Sequence, residues 1–105
     1  MCDKKIAFGP GKANLLEAIE EMGSISSAAR KLGLSYRRAW EMVDTMNHCF
    51  KKPLVTGTIG GKAGGGTNLT MLGKSTVSLY RTMENKARKA SKKEWKTLQK
   101  RLKPV

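Results

Sequence analysis

Residues 24–50 constrain this chain more than any other stretch, because they combine two helix-forming runs with one short, glycine-containing turn. Ser24 or Ser26 can cap the first run, since a serine oxygen accepts an otherwise orphan backbone N–H at a helix start. Ala28, Ala29 and Leu32 form its inner face, and paired alanines let two helices cross closely at a steep angle. Leu32-Gly33-Leu34-Ser35 is the turn, with Gly33 supplying a conformation that residues with a Cβ resist. The second run, 36–47, places Ala39, Trp40, Val43 and Met46 on one side, with Tyr36 near that edge. Arg37, Glu41 and Thr45 fall opposite, and Arg38 lies beside them. One side is thus suited to a core and the other to polar recognition.

The flanking segments fit around this pair. Lys4–Phe8 alternates mildly and ends in the turn signal Gly9-Pro10-Gly11, which predicts a short edge strand. Over 12–22, Leu15, Leu16, Ile19 and Met22 recur at helical spacing, and Gly23 stops the helix. Beyond Pro53, Leu54–Ile59 suits a strand, Gly60–Gly66 a loop with Lys62 in it, and Thr67–Leu69 a second strand. Strand, loop and strand directly after such a helix pair make a wing. Thr70 can cap a final helix from Met71 to about Leu102, whose Leu72, Leu79, Met83, Ala87, Ala90, Leu98 and Leu102 recur at mixed threes and fours. Roughly 30 residues at about 1.5 Å rise span about 45 Å, longer than a small domain is wide. A second copy of the chain is the simplest cover for that stripe.

Charge narrows the partner. In 105 residues the formal charge is +13, which favours a polyanion. The first 23 residues are slightly acidic, while cations gather at 30–38, at 51–52 and from 81 onward. Cys2 and Cys49 belong to no ligand cluster, and His48 is the single histidine, so reduced thiols and no metal are expected. No apolar run reaches the roughly 18 residues of a membrane span, and the N-terminus lacks a signal-peptide core. A cytoplasmic protein without cofactor follows as the expectation. No acid–base pair or nucleophile can be assembled, so an enzyme is not expected.

The arginines carry the sharpest reading. At the start of an exposed helix, Arg37 and Arg38 can each give two parallel hydrogen bonds to guanine O6 and N7, worth about 1–3 kcal/mol of discrimination. Ser26, Ser27 and Ser35 stand at helix N-termini, where hydroxyls and N–H groups suit phosphate oxygens. Tyr36 either reaches a phosphate or closes the core, and the sequence leaves these even. Gly61-Lys62 is not an ATPase phosphate loop, because Ala63 follows and Thr56 stands where the first glycine belongs. A wing tip resting on the DNA backbone, with Lys62 as a point charge, fits better. The C-terminal lysines read more simply as a solvated face on a dimer helix than as a second nucleic-acid contact.

Several motifs together resemble a known family. They are Gly23-Ser24-Ile25-Ser26-x-Ala28-Ala29, Leu34-Ser35-Tyr36-Arg37-x-Ala39-Trp40, Met46-Asn47, Pro53-Leu54-Val55, Gly60-Gly61-Lys62-x-Gly64-Gly65-Gly66 and Leu69-Thr70-x-x-Gly73. From about Phe8 to Arg81 the chain resembles the N-terminal winged helix-turn-helix domain of ModE, the molybdate-responsive transcription regulator, with a fold close to the LysR-type DNA-binding domain. The resemblance implies a dimer on a palindromic operator, the third helix in the major groove and the wing beside it. It also implies Ser35, Tyr36, Arg37 and Arg38 as reading residues and Lys62 as the wing contact. ModE proper continues into molybdate-binding repeats, and no molybdate site is expected within these residues.

The expected fold is therefore mainly α with a small β-wing: a winged helix-turn-helix over 1–70 and a C-terminal dimerisation helix with a basic tail over 71–105. The expected function is a prokaryotic, sequence-specific transcription regulator that binds double-stranded DNA as a homodimer. Its expected contacts are Ser26, Ser27, Ser35, Tyr36, Arg37, Arg38, Glu41, Thr45 and Lys62. The rivals are a non-specific nucleoid or RNA-binding protein and a protein-docking module.

Overall fold

The computed structural model describes residues 8–57 and 66–104. Three helices come first: α1 (Pro10–Met22), α2 (Ile25–Leu32) and α3 (Tyr36–Cys49). Strands β1 (Val55–Gly57) and β2 (Thr67–Leu69) pair antiparallel, Val55 opposite Leu69 and Gly57 opposite Thr67. Helices α4 (Met71–Ala90) and α5 (Lys92–Lys100) complete the order. Three helices, a two-stranded sheet and a following helix are compatible with a winged helix. The expected strand at Lys4–Phe8, except Phe8, and the expected loop with Lys62 lie outside the described residues.

Local chemistry explains the breaks. Pro10 starts α1 rather than a turn, because its fixed φ and missing N–H suit the first helical position. Gly23 (φ 79°) and Gly33 (φ 70°) end α1 and α2 in the left-handed region, where a Cβ is penalised. Ser24, Ser35 and Thr70 cap α2, α3 and α4 by accepting from the backbone N–H of Ser27, Arg38 and Gly73.

The core gathers Leu15, Leu16 and Ile19 of α1, Ala28 and Ala29 of α2, and Ala39, Val43 and Met46 of α3. Leu54, Val55 and Leu69 add the base of the sheet, and Val77 adds α4. Burying each large aliphatic side chain contributes about 1.5–3 kcal/mol, so these contacts rather than helix propensity hold the short helices. Trp40, expected on this buried side, is 47% exposed. The smaller Ala39, one position earlier, is fully buried in the core instead, which leaves the indole on the flank of α3.

The first half of α4 is tied to the body. The Phe8 ring meets Tyr80 of α4 and Phe50 edge-on, with centroids 5.3 and 5.9 Å apart. Arg81 reaches both Glu17 oxygens of α1 (Nη2–Oε1 2.6 Å, Nε–Oε2 3.2 Å) and Asn14 Oδ1 (2.7 Å). This paired geometry holds the Glu17 carboxyl below its ordinary range, mainly through the Arg81 hydrogen bonds, and raises Arg81.

Two expectations are corrected here. The long C-terminal helix is interrupted at Ser91 (φ −102°, ψ 9°). Ser91 Oγ donates to Ala87 O at 2.9 Å, a back-bond that bends helices. Cys49, expected as a reduced thiol, is disulfide-bonded, and Cys2 lies outside the described residues.

Candidate nucleic-acid interface

α2, the Gly33 turn and α3 form a helix pair whose second member presents a polar side to solvent. The N-terminal anchor of α3 is the Ser35 cap, whose Oγ accepts from Arg38 N–H at 3.1 Å. That cap fixes the entry of the chain and so the direction of the next two side chains. Arg37 points outward and is 88% exposed at its side chain. Its Nε lies 3.5 Å from Glu41 Oε2, an i,i+4 pair that holds the guanidinium along the helix without burying it. Arg38, Tyr36 and Glu41 are also exposed, while Thr45 is half-buried. Arg37, Glu41 and Thr45 line the side of α3 opposite Ala39, Val43 and Met46, with Arg38 beside them, whereas Tyr36 stands in the first turn near the apolar edge.

The serines of α2 are placed differently from one another. Ser24 is the cap, and its Oγ takes the Ser27 N–H at 3.1 Å, so that amide is already used. Ser26 is exposed, its hydroxyl 3.4 Å from Ser24 Oγ, and Ser27 is half-buried. The ambiguity over Tyr36 is reduced, because the residue is 56% exposed and is not among the core residues. Lys62 lies outside the described residues.

Sequence reasoning missed the residues that position the sheet against α3. Asn47, in the last turn of α3, accepts from Leu54 N–H (2.9 Å) and Val55 N–H (3.2 Å) through Oδ1. Its Nδ2 donates to Val55 O at 3.0 Å. One amide thus fastens the start of β1 to the helix that carries the arginines. On the other flank, Thr70 N–H donates to Leu54 O (2.9 Å) and Thr70 Oγ1 to Pro53 O (2.8 Å). Thr67 N–H donates to Gly23 O at 2.9 Å, which joins β2 to the α1–α2 corner. Asn47 stood in the sequence motif without a role, because its partners are seven and eight residues away around a corner.

Replacing Asn47 by alanine leaves the amides of Leu54 and Val55 unpaired in a half-buried corner. We expect a loss of about 2–6 kcal/mol in urea unfolding, summing the desolvation penalty of two orphaned donors. A loss below about 0.5 kcal/mol, the scale of a neutral surface change, would contradict this role.

Known proteins share much of this sequence. No protein-family model matches the chain. It is 46% identical over 82 residues to the molybdenum transport protein ModE of Azotobacter vinelandii, covering 78% of this chain and 30% of that protein. It is 47% identical over 77 residues to the molybdenum-pterin-binding protein MopB of Rhodobacter capsulatus, covering 73% and 28%. The DNA-binding transcriptional dual regulator ModE of Escherichia coli is 39% identical over 77 residues, covering 73% and 29%. The chain therefore spans about 30% of the length of the curated relatives it matches.

Proposed function

Because this chain is a relative of the ModE transcriptional regulators over about three-quarters of its length, we propose that it binds operator DNA as a dimer and regulates transcription. The observation that carries this reading is the outward Arg37 at the capped start of α3, on the side opposite the core. In the proposed complex α3 enters the major groove, where Arg37 and Arg38 read guanine edges. Ser26, Ser27, Ser35 and Tyr36 meet phosphates, Glu41 and Thr45 line the groove, and the wing with Lys62 rests on the adjacent backbone.

Dimerisation is assigned to residues 71–105. Leu79 (63% exposed) and Met83 (57% exposed) stand four residues apart on α4. Trp95, Leu98 and Leu102 extend apolar exposure beyond Ser91. Two such helices packed together would cover both stripes at once. Leu79→Glu is expected to shift the protein from dimer to monomer in sedimentation equilibrium. An unchanged dimer would move the interface elsewhere.

Genome-wide mapping of bound sites followed by footprinting tests the regulator itself. The expected result is a palindromic site protected on both half-sites, bound on the order of 10³-fold or more tighter than random DNA. A ratio near unity would favour the non-specific nucleoid reading instead.

A further inference from the structure

The charge on the C-terminal arm is arranged unlike the charge on the body. In the body four of the nine described lysines and arginines are paired, Lys31 with Glu21, Arg37 with Glu41, Lys74 with Glu20, and Arg81 with Glu17 and Glu84, while Lys12, Arg30, Arg38, Lys51 and Lys52 are not. From 86 to 103 the sequence carries nine lysines and arginines against one acid, Glu94. Among the described residues, none of those nine enters an ion pair. The arm has no buried residue to hold it, since every position of α5 is exposed.

On α5 the cations and the apolar groups occupy separate sides. Lys92, Lys96 and Lys100 follow one another at i, i+4 and i+8, with Lys93 beside them. Trp95 and Leu98 lie on the neighbouring side, three residues apart. Four residues of helix rise about 6 Å, so the lysine row is about 12 Å long.

That pattern is unfavourable for a helix in water. A solubilising face usually alternates charge sign, with glutamates four residues before lysines. Here Lys92 and Lys93 sit in the first turn, at the positive end of the helix macrodipole, offset there only by Glu94, and like charges repeat at i,i+4. A polyanion laid along the row relieves both penalties. Successive phosphates along one strand of duplex DNA are about 7 Å apart, the axial rise of about 3.4 Å being stretched by the winding of the strand, so the row faces about two to three phosphates.

We propose that the α5 arm is a sequence-independent phosphate clamp, in which Lys92, Lys93, Lys96 and Lys100 grip the backbone of duplex DNA flanking the segment read by α3. This rests on the DNA-binding reading above, and adds to it a contact outside the helix pair and the wing. Ser91 is the elbow that sets the arm's direction. In a dimer packed through the apolar sides, both lysine rows remain outward, one on each flank of the site.

The test compares the 105-residue chain with the variant K92Q/K93Q/K96Q/K100Q, which leaves Trp95 and Leu98 in place. The probe is a random-sequence duplex, followed by fluorescence anisotropy between about 50 and 200 mM KCl. Each phosphate contact adds about 0.9 to the slope of log affinity against log salt, so with about two to three contacts per arm the variant's slope is expected to be shallower by about 2 to 3 if one arm of the dimer engages and by about 4 to 5 if both do. The matched variant K92R/K93R/K96R/K100R is expected to keep the wild-type slope. Circular dichroism and sedimentation are expected to show helix content and dimerisation unchanged in both.

A glutamine variant with the wild-type slope and affinity overturns the clamp while leaving the α3 reading intact. A wild-type chain that binds no duplex at all overturns both. Loss of binding to phosphatidylglycerol-containing vesicles, with duplex binding unchanged, overturns the clamp in favour of a membrane surface.

Discussion

Alanine at Gly73 is expected to destabilise the protein by about 3 kcal/mol, lowering the melting temperature by about 10–20 °C. Gly73 is in the first turn of α4, and a Cβ built there lies 2.2 Å from the backbone oxygen of Leu54 and 3.1 Å from its carbonyl carbon. Neither atom is the end of a flexible side chain, so the clash cannot be relieved by a rotamer change. Leu54 is itself fully buried, and its oxygen already accepts from Thr70 N–H. Moving α4 away would break that bond and open the contact between Leu54 and the helix. Alanine gains about 1 kcal/mol of helix propensity over glycine, which is too little to offset overpacking against fixed backbone. Gly11→Ala in α1 is the control. A Cβ there meets nothing within 4 Å, so the propensity gain is unopposed and stability is expected to hold or rise slightly. Thermal melts of both variants decide the matter, and equal melting temperatures would remove Leu54 as the obstacle.

Arg37→Ala is expected to weaken binding to the footprinted operator by about 5- to 150-fold, the equivalent of 1–3 kcal/mol for one bidentate contact to guanine. Binding to random DNA is expected to change little, so the specificity ratio falls. Folding stability is expected to stay within about 0.5 kcal/mol of wild type, because the side chain is exposed and its pair with Glu41 is a surface pair. Arg37→Lys keeps the charge but loses the planar fork, and an intermediate affinity is expected. Competition titrations at one fixed salt concentration measure both terms. Equal operator affinity for Arg37→Ala and wild type would take Arg37 out of the reading set.

Much of the helical frame was legible from local chemistry. Gly23, Gly33, Ser35 and Thr70 act on their own neighbours within four residues, so their roles follow from the chain alone. Leu15, Leu16, Ile19, Val43 and Met46 were equally legible, because helical spacing reports one buried side. Trp40 was misplaced for a physical reason. Periodicity locates an apolar sector but not its edge, and whether the indole or the neighbouring alanine enters the core depends on how closely the helices approach. The break at Ser91 was missed because serine tolerates a helix interior, and its back-bond to Ala87 O is one of two local options.

The candidate interface divides along the same line. Arg37 and Arg38 could be assigned outward from the sequence, since the sector opposite Ala39 and Val43 has nothing apolar to bury. The part played by Asn47 could not, because its three hydrogen bonds reach Leu54 and Val55 after the chain has turned. Gly73 likewise reads as an ordinary weak point in a helix until Leu54 is seen against it.

By itself, then, the order of residues determined where helices start and stop, which sides are apolar, and where positive charge accumulates. All of these depend on groups within about one or two turns of each other. Only the tertiary structure decided how β1 is fastened to α3, why position 73 tolerates no Cβ, and which cations remain uncompensated. Those outcomes depend on distances between segments far apart in the chain, and such distances are set by packing rather than by periodicity.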